Sequence, residues 1–203
     1  MNAVDTQAPL AHFERLFREE ADPWHTATRW YESRKRALTL ASLPRERFER
    51  AFEPGCGAGE TTAALATRCN AVIATDASPS AVARARQRVQ SMPHVRVDLA
   101  ELPFDFPDGR FDLIVVSEIG YYLSGDHLGL FGAACRSSLA ARGVLVACHW
   151  RRQSSDMALS ADAVHASLAH LGLRSALHGV DDDFLLDVWT ADPQSVATRE
   201  GLA

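Results

Sequence analysis

Apolar positions along the chain follow two alternating periods. Short runs rich in Val, Ile and Phe, at Arg50–Pro54, Ala71–Asp76, Val95–Leu99, Phe111–Ser117 and Val144–His149, have strand character. Stretches of helical spacing lie between most of them, from Glu60 to Thr67, from Ser78 to about Val89 and from Asp126 to Ala140. Ser78-Pro79 reads as an N-cap followed by proline in the first turn. Arg142-Gly143 reads as the stop that separates the third helix from the fifth strand. Such alternation builds βαβ units and a parallel sheet.

The last third differs in kind. A helix from about Ala161 to Leu171 ends at Gly172, and two strand-like runs follow, Arg174–Gly179 and Phe184–Trp189. Only Val180-Asp181-Asp182-Asp183 lies between those runs, too short for a crossover helix, so they must pair antiparallel. The expected fold is α/β: a mostly parallel, seven-stranded sheet with an antiparallel C-terminal hairpin. Ahead of the first strand lies a helical preface, with Phe13, Leu16 and Phe17 on one stripe and Trp30, Arg34, Leu38 and Ala41 on another.

Composition narrows the chemistry. At 203 residues with 47% hydrophobic content, one domain with a sizeable core is the default. A net charge of −5 argues against a protein that lives on nucleic-acid phosphates, where clustered cations drive binding. There is no run of 18 apolar residues and no apolar stretch in the first 20, so neither a membrane span nor a signal peptide is read, and the expected location is the cytoplasm. Cys56, Cys69, Cys135 and Cys148 are too few and too scattered for a disulfide framework or an iron–sulfur cluster, and no cysteine, histidine or carboxylate spacing suggests a metal. The 21 basic residues are 20 arginines and the single Lys35, which has no glycine nearby, so a phosphate-loop nucleotide hydrolase is excluded and Schiff-base chemistry has one poor candidate.

One motif carries most of the remaining information. Phe52-Glu53-Pro54-Gly55-Cys56-Gly57-Ala58-Gly59-Glu60 is a glycine-rich turn from strand to helix, with an acid two residues before the first glycine. Glycines there permit positive φ and close approach of a ligand to the backbone. The dinucleotide fingerprint needs a third glycine where Glu60 stands, and a pyrophosphate would meet that carboxylate. Acids or polar residues also end the following strands, at Asp76, Asp98 and Ser117-Glu118, all on the carboxyl edge where open α/β sheets bind ligands.

With this acid and three alternate glycines, the chain resembles the class I S-adenosylmethionine-dependent methyltransferases, a Rossmann-like fold with helices on both faces of such a sheet. The resemblance implies S-adenosyl-L-methionine as cofactor. It places Glu53 at the methionine amino group, and Gly55, Cys56, Gly57 and Gly59 along the methionine and ribose. It further places Asp76 and Ala77 at the ribose hydroxyls, Asp98 and Leu99 at the adenine, and Ser117 beside the sulfonium. Read alone, Asp76 is equally an acid capping the next helix.

A second resemblance is finer. Asp22-Pro23-Trp24 with Arg34 ten residues on, and Val115-Val116-Ser117-Glu118-Ile119-Gly120-Tyr121-Tyr122-Leu123, are similar to the nodulation protein S family, N-methyltransferases acting on the free amine of a deacetylated chitooligosaccharide. The similarity runs from about residue 13 to 190 and is densest between Arg50 and Leu123. It implies residues 1–45 as a preface over the cofactor site and 46–195 as the methyltransferase domain, in one globular unit, monomeric or homodimeric. Trp24 is then an apolar lid, or else a core aromatic, and Arg34 a fork for the methionine carboxylate, or else part of a solvated face. Glu118 and His149 are the candidate acceptors of the amine proton, or else structural groups. The expected partner is a small-molecule acceptor such as an amino sugar or oligosaccharide. The proline-containing motif of DNA amino-methyltransferases is replaced by Ser117-Glu118-Ile119-Gly120, so nucleic acid is not expected. Alternatives are O- or carboxyl-methylation of another small molecule, or a non-catalytic cofactor-binding module.

Overall fold

The computed structural model describes residues 7–203, and the first six residues of the expected preface lie outside the described residues. Two helices, α1 (Gln7–Glu19) and α2 (Trp30–Ala41), precede the first strand. Then follow β1 (Phe48–Pro54), α3 (Glu60–Ala66), β2 (Cys69–Asp76), α4 (Pro79–Arg88), β3 (Val95–Leu99) and β4 (Phe111–Ser117). A 3-10 turn (Gly120–Tyr122) leads into α5 (Gly125–Ser138), β5 (Leu139–Trp150), α6 (Ala161–Ala169), β6 (Arg174–Val180), β7 (Phe184–Thr190) and α7 (Val196–Arg199).

The seven strands lie in the order β3-β2-β1-β4-β5-β7-β6. β1 pairs parallel with β2 and β4, while β7 pairs antiparallel with β5 and β6, so the expected terminal hairpin is present. Both faces of the sheet are covered, which is why its strands read as continuous apolar runs. Leu113, Val115, Val144 and Val146 point into one core with Leu65 and Phe184; Ile114, Val116, Leu145 and Ala147 point into the other with Phe131 and Leu168. The order reverses between β1 and β4, which opens a crevice beyond their carboxyl ends.

Two expectations require correction. The third helix does not run to a stop at Arg142-Gly143; α5 ends at Ser138, and Leu139 already pairs with Phe111. Leu139 is buried against the β4 side of the core, and that tertiary contact overrides helical spacing. In α2 the stripe of Trp30, Arg34 and Leu38 faces outward, with Trp30 77% exposed, and the buried residues are Lys35 and Thr39. The helix therefore turns a polar stripe inward.

The preface is fastened by hydrogen bonds. Glu14 of α1 accepts from Ser78 and Ser80 hydroxyls at 2.7 Å and from Ser80 N–H at 3.1 Å, seating α1 on the N-terminus of α4. Those bonds, Ser78's first, hold the Glu14 carboxyl below its ordinary value. Ser78 in turn caps α4 by accepting from Ala81 N–H at 3.0 Å, as the sequence suggested. Among the described residues, no helix is long and apolar enough to cross a membrane.

Candidate functional site

A cavity of about 700 Å³ occupies the crevice, floored by the ends of β1, β2 and β4 and walled by the preface. Gly55 and Gly57 lie on its wall with φ of 67° and 54°, in the left-handed region that favours glycine. A Cβ on Gly55 would sit 2.8 Å from Ile119 Cδ1, so the turn passes as close to the β4 loop as a bare backbone allows. Cys56, Asp76, Ala77 and Ser117 also face the cavity. The Cys56 thiol is pushed well up by burial, so this residue serves as a small apolar wall.

Gly59 departs from expectation. It is not on the wall; with φ 83° it starts α3, and a Cβ there would meet the Ala85 backbone of α4 at 3.0 Å. Its glycine serves helix packing.

Two carboxylates flank the turn, Glu53 buried and Asp76 partly buried. Glu53 is 3% exposed; its Oε2 accepts from the Thr62 hydroxyl at 2.6 Å, and burial outweighs that bond to push the carboxyl up to about 8. Asp76 accepts from Gly57 N–H and Ser78 N–H at 2.9 Å each, through different oxygens. It therefore braces the glycine turn and caps the start of α4 while facing the cavity, so both readings of this acid describe the same side chain. Burial raises its carboxyl despite those bonds.

At β3 the wall lies further along the chain than expected. Asp98 pairs with Arg96 at 2.7 Å, two residues back on the same strand face, and Leu99 is 56% exposed; neither faces the cavity. Ala100, Glu101 and Leu102 do, anchored by Ala100 N–H donating to the Asp76 carbonyl at 3.0 Å.

The preface brings Trp24 to the wall, edge-on to Phe17 with ring centroids 5.4 Å apart. Arg34 is directed elsewhere: its guanidinium bonds Asp181 at 2.8 Å in the β6–β7 turn, off the cavity wall. One residue on, a helix has turned about 100°, and Lys35 points in. Its ammonium lies 2.7 Å from Glu118 Oε1 and 3.0 Å from Glu32 Oε2. Burial acts to lower the Lys35 pKa, but Glu118 and Glu32 overcome it and raise the pKa above its ordinary value.

Glu118 sits on the wall at φ +56°, a left-handed conformation that costs a non-glycine residue roughly 1–3 kcal/mol. Its carboxylate collects Lys35, the Tyr121 hydroxyl, and Trp150 N–H at 3.1 Å. His149, the other proton-acceptor candidate, is fully buried off the cavity wall, and burial holds its pKa well below the ordinary value. Tyr31, Glu32 and Lys35 are the site residues that sequence reasoning missed, because a search for apolar stripes selects the wrong face of α2. Tyr31 Oη faces this region buried and without a protein hydrogen-bond partner among the described residues. No group of three or more His, Cys, Asp or Glu among them is placed to hold a metal.

The buried Glu53 carboxylate and the bare backbone at Gly55 and Gly57 suit a ligand that carries an ammonium group and lies flat against the turn. Similarity to known proteins agrees. A methyltransferase-domain family model matches residues 52–147. A structure described as a putative methyltransferase from Pseudomonas syringae is 48% identical, covering 80% of this chain and 99% of that one, with a TM-score of 0.73. The N-methyltransferase NodS from Bradyrhizobium japonicum WM9, solved with S-adenosyl-L-homocysteine, superposes with a TM-score of 0.81 at 26% identity over 92% of this chain and 99% of that one. Nodulation protein S of Sinorhizobium fredii is 36% identical over 115 residues, 55% of this chain and 53% of the relative. The chain spans about half the length of the curated relatives it matches. The reversal of strand order, the acid-led glycine turn beneath it and these likenesses together show that the chain belongs to the class I S-adenosylmethionine-dependent methyltransferases and is similar to nodulation protein S.

Proposed function

We propose that the protein methylates an amine on a small acceptor, an amino sugar or amino-oligosaccharide, using S-adenosyl-L-methionine. The observation that carries this reading is that one cavity is lined by two differently built groups of residues. One comprises Glu53, Asp76 and the glycine turn; the other comprises Glu118, Lys35, Glu32 and Tyr31. Glu53 would hold the cofactor's amino group and Asp76 its ribose, with Ala100 to Leu102 along the base and Trp24 closing the entrance. When bound, the cofactor supplies an activated methyl group on a cationic sulfur.

The chain's own residues supply position and dryness, which matter most when the leaving group is already activated. Glu118, fixed from three sides, presents a carboxylate that orients an incoming amine and receives its proton at Oε1. Lys35 and Glu32 form an adjoining charged pair that exchanges contacts with hydroxyls on the acceptor. Tyr31 Oη offers a further polar partner there. The aromatic rings of Tyr122 and Trp150 supply flat faces for a sugar ring. The N-methyltransferase NodS and the nodulation protein S relatives support an amine acceptor.

Isothermal titration with S-adenosylmethionine tests the first group, with a Kd in the micromolar range expected. Incubation with methyl-labelled cofactor and a panel of glucosamine oligomers, other amines, alcohols and carboxylic acids tests the second. Transfer to the amino sugars is expected; transfer only to oxygen acceptors overturns N-methylation, and transfer to none leaves a binding module.

A further inference from the structure

Four hydrogen bonds run from the exposed His178 of β6 through the interior to the loop that carries Glu118. Gly120 N–H donates to His149 Nε2 at 3.1 Å, and His149 Nδ1 lies 3.0 Å from His165 Nε2. His165 Nδ1 lies 2.5 Å from Asp187 Oδ2, and His178 Nδ1 lies 2.7 Å from Asp187 Oδ1. The first of these contacts fixes the direction of the others. An amide can only donate, so His149 Nε2 presents a lone pair; the neutral ring then carries its hydrogen at Nδ1 and donates to His165, whose remaining N–H meets the carboxylate. His149, His165 and Asp187 are all buried. Burial pushes the Asp187 carboxyl up, but the bonds from His165 and His178 more than offset it.

The His149 ring supports Glu118 by three routes. It accepts from Gly120, two residues after Glu118. Its edge packs on the Tyr121 ring at 5.2 Å and 74°, and the Tyr121 hydroxyl donates to Glu118 Oε2. The residue following it, Trp150, donates its N–H to the same oxygen. A Cβ on Gly120 would lie 3.0 Å from His149 Nε2 and 2.5 Å from Val164 Cγ1, so the loop backbone reaches the ring only because residue 120 is glycine.

We infer that the His149–His165–Asp187 relay is a positioning device for Glu118: an anion at one end fixes the tautomer of two imidazoles so that a lone pair at the other end pins the Gly120 amide. His149 is thus a positioning residue rather than the proton acceptor, and this role rests on the reading of Glu118 given above. It explains why a left-handed Glu118 is tolerated at the mouth of β4, since the amide two residues on is held by a ring that cannot turn.

The full chain labelled with 15N and 13C tests the relay directly. A scalar coupling across the hydrogen bond between the Gly120 nitrogen and His149 Nε2 is expected, with His149 in the Nδ1–H tautomer; an Nε2–H tautomer overturns the proposal even where no variant folds. Two variants extend the test. His149→Gln keeps an acceptor for Gly120, and His149→Leu does not. The Glu118 carboxyl resonance is expected to shift in the Leu variant and return in the Gln variant. Transfer to glucosamine oligomers is expected to fall about 100-fold in the Leu variant and to recover to within about tenfold of wild type in the Gln variant, with the S-adenosylhomocysteine Kd within about threefold throughout. Equal loss in both variants, or an unmoved Glu118 resonance in the Leu variant, overturns it. If the wild-type chain transfers no methyl group to these oligomers, the acceptor assignment fails, and the tautomer and the Glu118 resonance still decide the relay.

Discussion

At this site Glu53 and Asp76 are tuned by burial more than by charge, whereas at Lys35 the neighbouring carboxylates win. Glu53, pushed from 4.5 to about 8, keeps a proton in the folded chain that the unfolded chain releases. Its contribution to stability is therefore full below pH 4.5 and is lost as pH rises toward 8. A ligand ammonium beside it draws that proton off. Binding of S-adenosylmethionine below pH 8 should release a proton and tighten by up to about tenfold per pH unit. Calorimetry in buffers of different ionisation enthalpy reads this directly, and an enthalpy independent of buffer refutes it. Glu118→Gln should lower turnover about 100-fold while leaving cofactor affinity within about twofold, and wild-type turnover would remove Glu118 from the mechanism. Lys35→Met leaves that carboxylate without its cation and should cost about 3 kcal/mol in a denaturant titration. An unchanged midpoint would show that solvent replaces the lysine. The sole lysine was legible only as an exclusion, because its role depends on two acids that the fold brings from α2 and from the far end of β4.

At the level of elements, the glycine turn divides its labour. Gly55 and Gly57 serve the cavity, but Gly59 serves the contact of α3 with α4. Gly59→Ala should lower stability by about 1–3 kcal/mol through strain at φ 83° and the clash with Ala85. Cofactor affinity, measured below the melting temperature, should survive; its selective loss at full stability would return Gly59 to the binding wall. Arg34 ties α2 to the β6–β7 turn through Asp181, so Arg34→Ala should leave cofactor affinity within about twofold, whereas a carboxylate fork would lose far more. Spacing in α2 could not show this. A helix places successive residues about 100° apart, and only packing chooses which of two adjacent cations turns inward.

Over the whole molecule, the preface and the sheet edge form one enclosure, with α1 seated on α4 by Glu14 and α2 facing the end of β4 through Lys35. Addition of S-adenosylhomocysteine should therefore slow amide exchange in α1 and in the Asp22–Thr26 turn together with the Gly55–Gly59 loop; protection confined to the loop would separate the preface from the site. The sequence by itself determined the order of strands and helices, the terminal hairpin and the acid-led glycine turn. Each of these is written in local spacing: period two or 3.6, a connection too short to cross over, glycines where φ turns positive. The tertiary structure decided which side chains meet in the cavity. Asp98 was lost to Arg96, Arg34 to Asp181 and His149 to the interior, while Lys35 and Tyr31 were gained. Apart from the local pair of Asp98 with Arg96, those outcomes hang on partners far apart in the chain, and no local period records a contact between residues 35 and 118 or between 120 and 149.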